Sequence, residues 1–307
     1  MDSRYELERT LAELKKVTGL NFALDLNAEE IPEDAAEKIG MLTAAWREKY
    51  DRANFIRNLL YGNISEADLY AAASRFHIPE HGRRLLYVIE FKNAAGKEQE
   101  RILKQMFVTG SSDQFAVLDE KRMILIKSVA PKENEEMMRS RAHTIVDMLN
   151  TEALSDARVG ISSPIEKLKD MPAAFRDAML SLEIGRVFYS GEKVHSFSRL
   201  GIGRLIHDLP EKSCRLFIRE VFGDGSPDDF DEETTQIIGA FFDNNLNISE
   251  TARQLYVHRN TLVYRLEKLH QSTGLDLRNF DDAVVLKIAM MIATSLKGPG
   301  HEVMKGS

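Results

Sequence analysis

The chain has 307 residues, of which 48 are acidic and 41 basic, and its formal net charge is −7 at pH 7. This length can bury more than one hydrophobic core, so we expect two or three domains. The net negative charge excludes a protein that binds polyanions over its whole surface, and any contact with nucleic acid must rest on local charge. A single cysteine, Cys214, excludes an intramolecular disulfide.

No apolar run approaches the roughly 20 residues that span a bilayer, and the first residues lack the pattern of a signal peptide. We therefore expect a cytoplasmic protein that makes no membrane contact. The longest apolar segment, from Ala283 to Leu296, is interrupted by Lys287 and Thr294. It is interpreted as a buried helix or a dimer contact.

Residues 1 to about 80 are predicted to be helical. The expected breaks are at Gly19, Pro32, Gly62 and Pro79. Two amphipathic stripes have their apolar residues at Leu7, Leu11, Leu14, Phe55, Ile56, Leu59 and Leu60. Trp46, between them, is interpreted as a filler of a core or an interface.

From Arg84 the pattern becomes that of a sheet with helices. Residues 85–91 form an apolar, β-branched run typical of a central strand. Strands are predicted at 115–118, 123–126, 158–161 and 194–197, and helices at 97–107, 133–149 and 171–188. Ser162, Ser163 and Pro164 are expected to begin a helix. This order predicts an antiparallel-containing sheet covered by helices, an α+β domain.

Residues 200–222 are expected to form two helical pieces separated by Pro210, and residues 223–231, rich in Gly, Asp, Ser and Pro, to be a linker. The sequence thus predicts a helical region at 1–80, an α+β domain at 81–200, a connector at 201–230 and an all-helical domain at 231–307. The last domain should hold helices at 232–242 and 281–296, with Phe241 and Phe242 packed on the closing helix.

Residues 248–269, ISETARQLYVHRNTLVYRLEKL, predict two helices joined by a tight turn. Ser249 is the expected N-cap of a first helix that ends near Leu255, and the second helix should run from about Arg259 to Leu269. A small residue at Ala252 lets the two helices approach closely. The predicted core of the pair is Ala252, Leu255, Val257, Leu262 and Leu266.

The second helix is predicted to expose polar, aromatic and basic side chains. These are His258, Arg259, Asn260, Thr261, Tyr264, Arg265 and Lys268. Such a face can make bidentate hydrogen bonds to guanine and to adenine and can neutralise phosphate. It therefore predicts double-stranded DNA as the partner. Cations at a helix start oppose the helix dipole unless an anion lies nearby. An ordinary helical hairpin with a solvated face is the alternative.

The local charge favours the same interpretation. From Asp224 to Asn245 there are seven acidic residues and no basic ones, whereas from Ser249 to Arg278 there are five basic and three acidic residues. The sign of the charge therefore changes within the predicted helical domain, as expected if one surface faces DNA.

Other candidate sites for chemistry are weak, and no catalytic residue, metal site or cofactor is predicted. His77 and His81 straddle Pro79 and cannot share a helix face as metal ligands. Cys214 is interpreted as a structural thiol. Gly201 and Gly203 lack the third glycine of a dinucleotide loop.

Two segments, ETARQLYVHRNTLVYRLEKL and TGLDLRNFDDAVVLKIA, resemble the PucR/CdaR group of bacterial transcriptional regulators. The helix pair itself is similar to the Fis-type helix-turn-helix. The resemblance implies DNA contacts, which fall here on His258, Arg259, Thr261, Tyr264 and Arg265.

The middle region is similar to the degenerate GGDEF-like domain of that group. Active diguanylate cyclases need a Gly-Gly-Asp-Glu-Phe hairpin, but here the hairpin is Asp119-Glu120-Lys121-Arg122. Where that class places metal-binding aspartates, the first strand offers Glu90 alone. The resemblance therefore implies a scaffold that is not an enzyme.

The first 80 residues are too short for the larger sugar-diacid recognition domain of the group. The chain looks most like its shorter carbohydrate-diacid members, which by analogy implies control of sugar-acid genes with an unknown small-molecule effector. We therefore expect a homodimeric, DNA-binding transcriptional regulator. The alternatives are a nucleotide-binding or cyclase-like enzyme centred on the middle domain, and an interaction scaffold that does not bind DNA.

Overall fold

The computed structural model describes residues 2–18, 34–107 and 113–297, with side chains described at 6–15, 34–46, 52–107 and 113–297. The chain forms two compact units, residues 1–179 and 180–307. The four-part division drawn from the sequence is finer than these units and stays a prediction. The chain combines many helices with an antiparallel sheet, so the predicted α+β class is confirmed.

The first unit opens with three helices, α1 (Asp2–Thr18), α2 (Ala35–Tyr61) and α3 (Glu66–Arg75). Gly62 ends α2 in the left-handed conformation, with φ 71°, which confirms the break predicted there. The predicted breaks at Gly19 and Pro32 lie outside the described residues. Trp46 is half-buried.

Both predicted apolar stripes face the interior of the first unit. Leu7 and Leu14 of α1 are buried, and Leu11 is half-buried. The buried residues of α2 are Phe55, Ile56, Leu59 and Leu60. The ring of Phe55 lies 5.3 Å from that of Phe76, which directly follows α3. These contacts join α2 to α3.

The sheet of the first unit contains β1 (His81–Phe91), β2 (Gln114–Val117), β3 (Arg122–Ser128), β4 (Ala157–Ile161) and β5 (Ile165–Lys167). The order is β2-β3-β1-β4, with β5 also paired to β1, and these pairs are antiparallel. In the central strand, Tyr87 lies opposite Leu125 of β3 and Ile161 of β4. Residues 85–89 are at most 1% exposed, as expected for a strand covered on both faces.

The helices predicted among these strands are confirmed. They are α4 (Lys97–Phe107), α5 (Glu135–Ala153) and α6 (Met171–Phe188). The hydroxyl of Tyr87 donates a hydrogen bond to the carbonyl of Met138 in α5 at 3.1 Å. A buried polar group is thereby satisfied where helix and strand meet.

The expectation that Ser162 and Ser163 cap a helix is wrong. Ser162 is buried, and its hydroxyl accepts a hydrogen bond from the backbone N–H of Leu86 at 3.0 Å and donates one to the carbonyl of Ser163 at 2.8 Å. The chain then enters β5 and pairs with β1. A Ser-Ser-Pro sequence suits both a helix start and a break between strands. Here a strand follows, because it can pair with β1.

The second unit contains β6 (Val194–Ser196), α7 (Ile202–His207), α8 (Glu211–Phe222), α9 (Glu232–Asp243), α10 (Ile248–Gln254), α11 (Arg259–Thr273) and α12 (Phe280–Lys297). The predicted helices on either side of Pro210 are confirmed, as are the first and last helices of the C-terminal region. Cys214 of α8 is buried, and burial raises the pKa of its thiol.

The long apolar segment is α12, and it is buried within its own unit. Leu286 and Met290 pack on a core shared with α9, α10 and α11, while Ile292 packs with Ile206 and Cys214 on a second core. Because two cores use this one helix, it is apolar around most of its circumference. None of the described helices combines the length and apolarity that a bilayer span requires.

Residues 223–231 have the composition of a linker, but this segment is folded. Ser226 caps a 3-10 turn at Pro227–Asp229, and Pro227 is buried. The ring of Phe230 lies 5.9 Å from that of Phe222, and both pack on the core beneath α11. Glycine and proline therefore shape a turn in this segment.

Candidate nucleic-acid interface

The helices α10 and α11 cross on a core that they share with α9 and α12. Of the predicted core residues, Ala252, Leu262 and Leu266 are at most 4% exposed. Leu255 and Val257 pack on the same core but are half-buried, so Val257 is less enclosed than expected. The core holds α11 by one face and leaves the opposite face exposed.

Asn247, and not Ser249, caps α10. Its side-chain oxygen accepts hydrogen bonds from the backbone N–H groups of Ser249 at 3.0 Å and Glu250 at 3.2 Å. The buried hydroxyl of Thr251 donates to the carbonyl of Asn247 at 2.8 Å, which fixes the helix start at Ile248. Two good capping residues stand two positions apart, and Thr251 is the signal that could have chosen between them.

The turn between the two helices places Tyr256 in the left-handed region, with φ 55°. The N–H of Tyr256 donates to the carbonyl of Arg253 at 3.2 Å, and that of Val257 to the carbonyl of Ala252 at 3.0 Å. These bonds close the end of α10 in the manner of a helix C-cap that normally favours glycine. Tyr256 is 96% exposed, and no pattern in the sequence marks this position as part of the surface.

The second helix of the pair begins with His258 as its N-cap. Nδ1 of His258 accepts a hydrogen bond from the backbone N–H of Asn260 at 3.2 Å. The helix begins at Arg259 as predicted, but it continues past Leu269 to Thr273 and ends at Gly274, with φ 76°. The extra turn adds Gln271, which is exposed, to the face that carries Tyr264 and Lys268.

Most of the predicted reading residues are exposed on this helix. The exposed ones are His258, Arg259, Asn260, Thr261, Tyr264 and Lys268. Within the part of the chain that the structure describes, neither Arg259 nor Lys268 forms an ion pair, and the first turn of α11 contains no acidic residue. The positive start of the helix is therefore open to an external anion.

Arg265 differs from the other predicted contacts. Its guanidinium forms an ion pair with Glu233 of α9, and its side chain is 32% exposed. The expectation of a simply outward-facing Arg265 is corrected, because the side chain lies along the flank of α11 that faces the start of α9.

Arg278, in the loop after α11, forms ion pairs with Glu267 of that helix and with Asp276 of the loop. Its Nη2 atom lies 2.9 Å from a carboxylate oxygen of Glu267 and donates to Oδ2 of Asp276 at 2.8 Å. Its Nε atom donates to Oδ1 of Asp276 at 2.7 Å. The hydrogen bond from Arg278 holds the pKa of Asp276 below its usual range. Arg278 thus offsets the one acidic side chain of α11, Glu267.

At the predicted hairpin of the middle domain, Asp119 is bound by its own neighbours in the chain. The carboxylate of Asp119 accepts hydrogen bonds from the backbone N–H of Lys121 at 2.9 Å and from Arg122 at 2.7 Å. Partial burial alone would raise the pKa of Asp119, but these contacts hold it below its usual range. Among the described residues, no group of three or more His, Cys, Asp or Glu side chains could hold a metal ion.

The fold and the exposed helix together define the C-terminal part of the chain as a helix-turn-helix domain. Residues 235–292 match the PucR C-terminal helix-turn-helix domain, and residues 61–184 match a GGDEF-like domain. The chain therefore carries a GGDEF-like domain followed in sequence by a PucR-type helix-turn-helix domain. The resemblance to the PucR/CdaR group is confirmed.

Three relatives carry names of different regulators. The chain is 30% identical over 132 residues to the purine catabolism regulatory protein of Bacillus subtilis (strain 168), covering 43% of this chain and 25% of that one. It is 20% identical to the carbohydrate diacid regulator of Escherichia coli (strain K12), covering 78% and 65%. It is 19% identical to the proline-responsive transcriptional activator PutR of Bacillus subtilis, covering 80% and 63%. The match thus spans less than two thirds of each relative's length.

Proposed function

We propose that this protein is a sequence-specific, DNA-binding transcriptional regulator that reads duplex DNA with α11. The observation that carries the proposal is the exposed face of this helix, which presents polar and basic side chains from a buried apolar core. Arg259 is suited to guanine or phosphate and Asn260 to adenine, while Lys268 is suited to phosphate. The helix-turn-helix match and the names of the relatives support this function.

The DNA site should be two-fold symmetric. One helix-turn-helix reads one half-site, so a homodimer would place two copies of α11 in successive major grooves, about 34 Å apart. The DNA-contacting residues in this proposal are His258, Arg259, Asn260, Thr261, Tyr264, Arg265 and Lys268. A small-molecule effector would adjust the binding.

Genes of sugar-acid metabolism are the proposed targets. The support is the alignment with the carbohydrate diacid regulator along 78% of this chain. Selection of fragments from the native genome on the purified protein tests both parts of the proposal. An enriched symmetric motif beside sugar-acid genes is the expected result. A motif beside other genes would overturn the pathway, and no enriched motif would overturn sequence-specific binding.

The GGDEF-like domain is proposed to be a scaffold without catalysis. Asp119 is engaged by Arg122 within its own hairpin, which leaves this carboxylate poorly placed to hold a metal and a nucleotide. Incubation of the protein with guanosine or adenosine triphosphate and magnesium should give no turnover. Formation of a cyclic product would instead support the cyclase-like alternative.

A further inference from the structure

Two acidic residues at the start of α9 lie beside cations of the reading helix. Glu233 forms an ion pair with Arg265, in which the side chains of Glu233 and Arg265 are 57% and 32% exposed. Asp231, the N-cap of α9, accepts a hydrogen bond from the backbone N–H of Thr234 at 2.7 Å. The pKa of Asp231 is lowered first by Thr234 and further by the charges of Lys268 and Arg265.

These positions differ from that of Arg259. Within the described residues Arg259 has no ion pair, so a DNA phosphate can bind it without displacing another anion. A phosphate that binds Arg265 competes with the carboxylate of Glu233, which already neutralises the guanidinium charge. That exchange replaces one charge-assisted hydrogen bond by another and gains little.

A cognate duplex can offer Arg265 a partner that arbitrary DNA lacks. The O6 and N7 acceptors of guanine match the guanidinium fork, and only a duplex with guanine at the matching position supplies them there. A matching base can therefore compete with Glu233 for Arg265 on the cognate duplex alone.

We propose that Glu233 is a positioning residue whose ion pair keeps Arg265 from binding DNA phosphates. Arg265 then contacts DNA only on a cognate duplex. This inference rests on the proposed DNA-binding function and concerns its specificity. Glu233 then lowers the affinity for arbitrary DNA more than the affinity for the proper site.

The salt dependence of binding to a mixed-sequence duplex measures the number of engaged phosphates. The test uses the full chain, a labelled mixed-sequence duplex and a fragment selected from the native genome. The variants are Glu233→Gln, Arg265→Gln and their combination. Glu232→Gln is the matched control, because it removes the same charge from the same exposed helix turn.

For Glu233→Gln we expect mixed-sequence binding to tighten about three- to tenfold at low salt, with a slope of log K against log salt that is steeper by about 0.9. Glu232→Gln should leave the slope unchanged. Arg265→Gln alone should also leave that slope unchanged, should weaken binding to the selected fragment about tenfold, and should cancel the effect of Glu233→Gln.

Equal slopes of log K against log salt for Glu233→Gln and Glu232→Gln would overturn the inference. So would a slope for Arg265→Gln alone that is shallower than that of the wild type. The absence of salt-dependent binding by the wild-type protein to any duplex would instead overturn the proposed function and this inference together. Circular dichroism checks that each variant is folded. If Glu233→Gln does not fold, the salt dependence of Arg265→Gln alone tests the inference. An arginine that stays paired with Glu233 contributes nothing to the slope measured on the mixed-sequence duplex.

Discussion

Nδ1 of His258 accepts a hydrogen bond from the backbone N–H of Asn260, 3.2 Å away. One proposed reading residue thus holds the backbone of another at the first turn of α11 (Arg259–Thr273). An N-cap acceptor satisfies a backbone N–H that no helical turn can reach. The start of α11 is therefore stabilised by a residue that also lies on the face proposed to contact DNA.

Replacement of His258 should separate these two roles. His258→Ala removes the cap and should lower the free energy of unfolding by about 1 kcal/mol, while His258→Asn should retain most of it because asparagine is a strong N-cap. Urea denaturation of the full chain at neutral pH measures both. Equal destabilisation by the two variants would contradict the capping role.

Tyr256 should be a site where glycine stabilises the fold. Its φ of 55° is disfavoured for a residue with a side chain, and its ring is 96% exposed, so Tyr256→Gly loses almost no burial. We expect a gain of up to about 1 kcal/mol in the free energy of unfolding. Tyr264→Gly, inside α11, should instead lose about 1 kcal/mol. Destabilisation by Tyr256→Gly would show that the ring makes a contact that stabilises the turn.

Two helical glycines should respond oppositely to alanine. A β-carbon at Gly185 would lie 2.2 Å from Cγ of the buried His195, whereas one at Gly239 would meet nothing within 4 Å. Gly185→Ala should therefore lower the free energy of unfolding by about 1–3 kcal/mol through overpacking. Gly239→Ala should stabilise by about 0.5–1 kcal/mol through helix propensity. Thermal unfolding of both variants checks the pair, and a neutral Gly185→Ala would contradict the packing of His195.

The stability of the second unit should depend on pH through His207 and Glu183. Nε2 of His207 lies 3.4 Å from Oε1 of Glu183. The hydrogen bond with Glu183 raises the pKa of His207 above 6.5, and the same contact lowers the pKa of Glu183 below 4.5. A raised histidine pKa adds stability below its unfolded value, and this stability is lost as pH rises through the folded value. A lowered glutamate pKa adds stability above its unfolded value.

The contribution of this pair should therefore be full between about pH 4.5 and 6.5 and smaller at pH 8. Because both side chains are partly exposed, it should stay below about 1 kcal/mol. The free energy of unfolding of the wild type minus that of Glu183→Gln, measured at pH 5.5 and pH 8, tests this. A difference that grows towards pH 8 would contradict the assigned pair, and His207→Asn in both proteins should abolish the pH effect.

Elements with a strong apolar period could be predicted from the sequence. The helix predicted at 171–188 is observed at Met171–Phe188, and the apolar run at 85–91 lies in the central strand. The burial of Leu262, Leu266 and Leu269 in α11 also follows from spacing alone, because these leucines recur on one face. Local periodicity is sufficient where one face of an element is buried.

Features that depend on a partner distant in sequence could not be predicted. The strand at Ile165–Lys167 exists because β1 (His81–Phe91) offers it a pairing edge. The folded segment at 223–231 depends on the contact between Phe222 and Phe230. The ion pair of Arg265 with Glu233 joins two helices whose relative placement no local pattern reveals.

The central claim is that the exposed face of α11 reads DNA, and Arg259→Ala tests it most directly. The measurement is the affinity for a fragment selected from the native genome, by gel shift at fixed salt, with Arg215→Ala in α8 (Glu211–Phe222) as a control for the loss of one exposed cation. We predict that Arg259→Ala loses about 1–3 kcal/mol of specific binding with its fold intact, and that Arg215→Ala binds like the wild type. Wild-type affinity and specificity in Arg259→Ala would contradict the claim.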